Sequence, residues 1–311
     1  MLQTDIQVEK SRTFKMDMKS QIRGRVLTHV LMKDLTSLRI GGRADILAYP
    51  LDEDDLGELL AYAGEKRLSY YVVGRCTNLL VKDGGVRGLL IDLSEGFNGI
   101  DDSGPLEVVA EAGVPLRKIM DYCVNKDMAG LEFTSGIPGT LGGAIAMNAG
   151  AYGSEMKDVV VKVEIMGEDG VVREVEKESL NFTYRGSNLN DIGIVLRAYL
   201  RLSKGNKQEM RERIKAYAKK RVSTQTVSYP NAGSIFKNPP EIPAGRLIEE
   251  LGLKGCRVGG AQISEVHGNY IVNVGKASSK DVLALITLAQ KKAMEERGIP
   301  LETEIKIIGE D

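Results

Sequence analysis

Tryptophan is absent and aromatic residues make up only 5% of the 311 positions, which leaves little material for a stacking platform on single-stranded nucleic acid. Histidine is nearly as scarce, at His29 and His267 only, so a histidine-rich metal site or a His-attached cofactor has few candidates. The three cysteines, Cys76, Cys123 and Cys256, are odd in number and widely separated. That excludes a disulfide framework and a paired-thiolate zinc site, no metal is expected, and a reducing cytoplasm fits best. Charge of either sign is not in excess: 42 basic against 43 acidic residues give -1, so no bulk field would hold nucleic acid or an anionic membrane. Any anion must be bound locally. The start MLQTDIQVEK carries acidic residues and no apolar stretch, unlike a secretion signal. One charge-free run, Phe133 to Ser154, has the length of a membrane helix at 22 residues. Its six glycines, Pro138 and Asn148 leave too few large apolar groups for insertion, and a buried glycine-rich loop with a short helix is expected instead.

What is present is a globular text: 42% hydrophobic and 27% charged residues exclude global disorder, and 35 glycines, above the average of about 7%, announce many tight turns. The first twenty residues are polar and aperiodic, a loose arm, and regular patterning starts at Leu38. Leu56, Leu59, Leu60 and Ala63 follow helical spacing behind the acidic start DEDD, which suits a helix N-terminus. Strands are expected at Tyr70–Val73, Leu79–Val81 and Gly88–Leu93. A turn cluster at Gly99–Pro105 suggests a boundary, followed by a strand, Leu106–Ala110, and a helix opened by Pro115 with Leu116, Ile119, Met120 and Cys123 on its apolar face. Strands at Val159–Ile165, Val171–Val175 and Ile194–Leu202 complete a second α+β unit. A third begins with a basic helix lined by Met210, Ile214, Tyr217 and Ala218, continues through a helix at Arg246–Leu251, a strand at Tyr270–Val274 and a helix with Ser278 and Asp281 in capping-box spacing, and ends in an alternating strand, Leu301–Ile308. The expected division is an arm and start of the first lobe over 1–37, lobes over 38–98 and 99–204, a third domain over 205–304, and a strand end over 305–311.

Two loops can cradle phosphate. In VGRCTNLLV, Gly74 follows an apolar strand and precedes Arg75, Cys76, Thr77, Asn78 and Leu79, a turn able to offer backbone N–H groups, although a glycine turn after a strand is also an ordinary connection. In SGIPGTLGGAIAMNAG, Pro138 and Gly139 make a sharp turn and Thr140 precedes a short helical run containing Gly142 and Gly143, so free donors can face a diphosphate; close packing of a glycine-lined helix is the competing reading. Two such loops suggest a dinucleotide clasped between α+β units. Ser234, in NAGSIFKNP, lacks a GxSxG context and reads on its own as a turn serine. Arg185 in TYRGSN can meet a carboxylate as a forked donor or be a plain surface arginine. Glu304, on the Glu302, Glu304, Lys306 face of the last segment, reads by default as solvated.

Taken together and in order, LRIGGRAD, VGRCTNLLV, SGIPGTLGGAIAMNAGAYG, YRGS, PNAGSIFKNP, LKGCRVGGAQIS and LETEIKIIG closely resemble the UDP-N-acetylenolpyruvoylglucosamine reductase family, from about Leu38 to Ile308. The resemblance implies an α+β protein with a two-lobed FAD-binding domain of the vanillyl-alcohol-oxidase (PCMH) type and a smaller α+β substrate domain. It implies FAD as cofactor, NADPH as reductant and UDP-N-acetylglucosamine enolpyruvate as substrate. Gly74, Arg75, Cys76, Thr77, Asn78, Leu79, Gly139, Thr140, Gly142 and Gly143 then stand as flavin contacts. Arg185 and Glu304 look like the pair that handles the substrate carboxylate, Ser234 like the proton donor, and Tyr184, Asn238 and His267 like substrate contacts. Hydride on the enolpyruvyl methylene leaves enolate charge that Arg185 can neutralise and Ser234 can protonate, with Glu304 protonated or tightly hydrogen-bonded, in a ping-pong cycle.

Two features depart from the family pattern. Cys76 and Thr77 stand where Gly and Ser are common, so a side chain at Cys76 is expected to narrow the approach of the pyrophosphate or to need a negative φ. The rapid passage through GSNLNDIG leaves no room for an extra tyrosine loop, as in the shorter, second type of the family. Competing functions are a flavin oxidase of the same fold, linked through Cys76 or Cys123, and a nucleotide-binding protein without catalysis.

Overall fold

The computed structural model describes residues 22–225 and 228–311, so the arm expected over the first twenty residues lies outside the described residues. The described residues form two compact units, one of 22–28 with Ile46–Gly74 and Gly88–Lys220, the other of His29–Asp45 with Arg75–Arg87 and the described part of 221–311. Both mix helices with strands, the α+β composition expected.

In the first unit an antiparallel five-stranded sheet runs in the order Val172–Glu176, Val160–Met166, Ile194–Arg201, Glu107–Glu111, Ile100–Gly104. Its register lines up Val175, Val163, Ala198, Ala110 and Ile100 across the strands, and the middle three are fully buried. Period-2 alternation thus places one apolar row on the core face. The edge strand Ile100–Gly104 occupies the stretch expected as a turn cluster: Ile100 pairs with Ala110 and Asp101 with Val109. Against the sheet packs the helix Leu116–Asn125, started at Pro115, with Leu116, Ile119, Met120 and Cys123 buried as the spacing requires. Burial pushes the Cys123 thiol up to about 12, so this cysteine is a small apolar filler and an inert one. Tyr70–Val73 lies parallel to Leu89–Asp92.

The helix Glu53–Lys66 buries Leu56, Leu59, Leu60 and Ala63 and is capped by Asp52, whose side chain accepts from the Asp55 N–H. Asp55 itself is buried, and its carboxylate accepts from the N–H groups of Arg23 at 2.9 Å, Gly24 at 2.7 Å and Leu51 at 3.1 Å. Burial pushes this carboxyl up, but those three donors and the Arg23 charge outweigh it and hold it below the ordinary carboxylate range. A folded-state value below the unfolded one gives stability that is present above the unfolded pKa and lost as pH falls through the folded one. Asp55→Ala is therefore expected to lower stability by about 1–3 kcal/mol in all, since the three donors it leaves are only partly buried, measured by urea unfolding at neutral pH, with the gap from the parent narrowing in acid.

In the second unit an antiparallel sheet runs Asn231–Ser234, Tyr270–Asn273, Ala261–Ile263, Arg257–Val258. The helix Ser279–Arg297 covers it with Val282, Leu285, Ile286, Ala289 and Ala293. The expected capping box is formed: the Asp281 N–H donates to Ser278 Oγ at 3.1 Å and the Ser278 N–H to Asp281 Oδ2 at 3.0 Å. Of the expected strand Leu301–Ile308 only Lys306–Ile308 is regular, pairing in parallel with Leu79–Val81. Leu301 and Ile305 are buried, but Thr303 meets Phe236 in a single bridge and Ile307 is exposed.

Candidate active site

The residues singled out by sequence fall into one group in each unit. In the first unit the two glycine loops meet: a Cβ on Gly74 would stand 2.5 Å from Thr140 Oγ1. Thr140 is buried at the N-cap of the helix Leu141–Ala146, and Gly139 holds φ +140, a conformation that side chains resist. The helix start does not offer all its donors, a correction to the expectation. The Leu141 N–H donates to Val114 O and the Gly142 N–H to Ala112 O, both at 2.9 Å, so these two groups face inward. Gly142 serves packing: its Cβ would lie 3.0 Å from the Ala112 Cβ. Gly143 is the open position, exposed, with no partner for its N–H among the described residues.

Beyond the helix the chain carries Asn148 and Gly150 against the YRGS turn. Thr183 and Gly186 exchange backbone hydrogen bonds at 2.9 and 3.3 Å, leaving Tyr184 and Arg185 at the tip, with Arg185 at φ +59. Arg185 Nη2 donates to Gly150 O at 2.9 Å, and the guanidinium lies 4.8 Å from the centre of the half-exposed Tyr184 ring. It is anchored, unlike a freely solvated arginine. The Tyr152 and Tyr217 rings stack at 3.9 Å, which with buried Met210 and the Arg213–Glu132 ion pair seats the first-unit part of the basic helix Lys207–Gln225, up to Lys220. Ala218, expected on the apolar face, is exposed.

In the second unit Arg75 is exposed and Cys76 is buried at φ +49. The expected negative φ is thus corrected: the cysteine adopts the left-handed conformation that glycine would take without strain. Ser37 follows the same loop, its N–H donating to Cys76 O and its hydroxyl to Thr77 O. Asn78 Nδ2 donates to Glu304 O at 3.1 Å and Asn78 O accepts from the Lys306 N–H, at the point where Leu79 enters its parallel pairing. The Glu304 N–H in turn donates to Ile235 O at 2.8 Å, so Glu304 and Ser234 hang on adjacent backbone.

Ser234 ends a strand and pairs with Tyr270; it does not stabilise a turn, because Asn231 Oδ1 accepts from the Gly233 N–H in that role. The Ser234 hydroxyl has no hydrogen-bond partner among the described residues. Two residues on, the Phe236 N–H and C=O are both engaged by the buried Asn269 side chain, at 2.9 and 2.7 Å. Sequence reasoning missed Asn269, which stands between Gly268 and the strand Tyr270–Asn273. Asn238 Oδ1 accepts from the Ala244 N–H at the start of the helix Ala244–Glu250, which leaves its amide hydrogens. His267 tilts its ring on Tyr270 at 4.5 Å, and burial together with the Lys254 charge lowers its pKa, favouring the neutral imidazole.

Two family models match successive parts of the chain. A model described as the FAD-binding domain matches residues 44–176, and one described as the UDP-N-acetylenolpyruvoylglucosamine reductase C-terminal domain matches 225–308. The reductase of that name from Caldanaerobacter subterraneus subsp. tengcongensis is 45% identical over 288 residues, 92% of this chain and 95% of the relative. This chain belongs to the UDP-N-acetylenolpyruvoylglucosamine reductase family. The Bacillus subtilis member is 40% identical over 295 residues, covering 94% of this chain and 97% of its own length. The crystal structure of the Thermus caldophilus reductase matches with TM-score 0.79 at 38% identity, over 92% of this chain and 99% of that one. The family and its FAD-binding domain make the chain a flavin-dependent oxidoreductase of peptidoglycan precursor synthesis. The residues fit FAD: the Gly74–Thr140 approach leaves no room for a Cβ, and the bare Gly143 N–H stands beside it.

Proposed function

We propose that the chain reduces UDP-N-acetylglucosamine enolpyruvate to UDP-N-acetylmuramate, with NADPH as the source of electrons. The observation that carries this reading is the Ser234 hydroxyl. It takes no partner among the described residues, yet its strand is held on both sides by Asn269 and by the Glu304 N–H on Ile235 O. A donor so placed is available to a substrate carbon. FAD, when bound, supplies the hydride, and Gly74, Thr140 and Gly143 are the residues of the first unit that would border its pyrophosphate. Arg185 neutralises the substrate carboxylate as enolate charge develops there. Glu304 acts protonated or hydrogen-bonded, since an ionised carboxylate alone would oppose that charge. Ser234 delivers a proton to the ether-bearing carbon. Tyr184, Asn238 and His267 contact the sugar nucleotide, and the remaining loop residues Arg75, Cys76, Thr77, Asn78 and Leu79, with Gly139 and Gly142, shape the flavin side. The reaction, on a soluble sugar nucleotide, is placed in the cytoplasm; among the described residues no helix is long and apolar enough to cross a membrane.

The test is kinetic. Arg185→Ala and Glu304→Gln are expected to leave flavin reduction by NADPH near the parent rate and to slow flavin reoxidation by the enolpyruvyl substrate by on the order of 10²-fold, because the charge they manage arises only there. Stopped-flow absorbance of each half-reaction measures this, and equal slowing of both halves refutes the assignment.

A further inference from the structure

Asn148 is fully buried, and every polar atom of its side chain is used. Its Oδ1 accepts from the Lys157 N–H at 3.0 Å, while Nδ2 donates to Glu155 Oε2 at 2.6 Å and to Thr183 O at 2.9 Å. The last of these reaches the base of the turn that presents Tyr184 and Arg185. Two neighbouring bonds repeat the pattern. Ser187 Oγ donates to Ala146 O at 3.0 Å, and Arg185 Nη2 donates to Gly150 O at 2.9 Å. The YRGS turn is thus fastened at three points to alternate residues of one segment, 146, 148 and 150. The middle fastening comes from a fully buried residue, and only there does the segment contribute a side chain.

We propose that Asn148 is the positioning residue of Arg185, fixing the backbone from which the guanidinium reaches and the carbonyl that orients it. The inference rests on the reading that Arg185 holds the substrate carboxylate. Asn148 never touches substrate; it acts through Thr183 and Gly150. The residue type follows from two demands at once. The backbone there is left-handed, φ +40, which asparagine tolerates better than most residues. The site also needs two donors and one acceptor in the plane of an amide, which Asp cannot supply when ionised. Asp in place of Asn would set a carboxylate against Glu155 and against the Thr183 carbonyl. Because the same segment follows directly on the helix Leu141–Ala146, whose start borders the expected flavin site, it joins the flavin loop to the substrate arginine along seven or so residues of chain.

The experiment uses the FAD-loaded protein with NADPH and UDP-N-acetylglucosamine enolpyruvate. Two variants are made: Asn148→Asp keeps shape and loses both donors, and Asn148→Gly keeps the left-handed backbone and adds no charge. In either, FAD content and flavin reduction by NADPH are expected to stay within about twofold of the parent, whereas flavin reoxidation falls on the order of 10²-fold, the cost of a misplacement of about 1 Å at a reacting group. Combined with Arg185→Ala, neither variant adds a further loss, as expected when one residue acts through the other. Parent-like reoxidation in both Asn148 variants, with Arg185→Ala slow, overturns the positioning role and leaves the Arg185 reading standing. Parent-like reoxidation in Arg185→Ala itself overturns both. Multiplying losses in the double variants, or loss of FAD and slowing of both half-reactions in both single variants, also overturns it, since a purely structural asparagine would behave in that way.

Discussion

Gly143→Val is expected to purify as folded, soluble and colourless protein. Its position is open: a Cβ there meets only Thr140 Oγ1, at 3.6 Å, an ordinary contact, and the residue is exposed on a helix, where valine is at least as favourable as glycine. Nothing in the fold itself should suffer. What the side chain would block is approach to the Gly143 N–H, which no described residue occupies. Losing a hydrogen bond from that group to a charged phosphate costs about 1.5–3 kcal/mol, roughly 10- to 100-fold in affinity, before any clash with the pyrophosphate is added. Gly74→Val reaches the same outcome by another route, because its Cβ would press to 2.5 Å on Thr140 Oγ1 and displace a buried N-cap. Flavin absorbance per mole of protein, with circular dichroism as the fold control, measures both. Stoichiometric FAD in Gly143→Val would remove this loop from the cofactor site.

The contrast between those two glycines shows where the sequence was legible. Each loop on its own also read as an ordinary connection or as packing, and which N–H groups remain free depends on Ala112 and Val114, far upstream, whose carbonyls take the Gly142 and Leu141 donors. Periodic elements were plain: the apolar faces of Glu53–Lys66 and Leu116–Asn125 and the Ser278–Asp281 box follow from local spacing alone. The strand Ile100–Gly104 was not, since an exposed edge strand of Asp, Ser and Gly needs only backbone pairing and carries no alternation. Leu301–Ile308 failed in the opposite sense. Its alternation is real as far as Ile305, but regular pairing requires the distant Leu79–Val81, which meets only its last three residues. Buried asparagines such as Asn148 and Asn269 were invisible because their purpose is defined by backbone groups far along the chain.

Ser234→Ala is expected to leave a protein that binds FAD, melts near the parent temperature and accepts electrons from NADPH, yet barely passes them on. The hydroxyl contributes no hydrogen bond to the fold among the described residues, and the turn before it is held by Asn231 Oδ1 on the Gly233 N–H, so alanine removes chemistry and little else. The backbone that aims residue 234 survives as well, because Tyr270 pairs with residue 234 itself and Asn269 and the Glu304 N–H hold main-chain groups of Ile235 and Phe236. Reoxidation by the enolpyruvyl sugar nucleotide should then fall by roughly 10²- to 10⁴-fold, the usual contribution of a positioned general acid. Ser234→Cys should recover part of that, since a thiol donates a proton from the same place. A serine that stabilised the strand end instead would give the reverse: a lowered melting temperature, no benefit from cysteine, and both half-reactions only modestly changed. Rapid-mixing flavin spectra in each half-reaction separate the two, and near-parent reoxidation in the alanine variant would take Ser234 out of the mechanism.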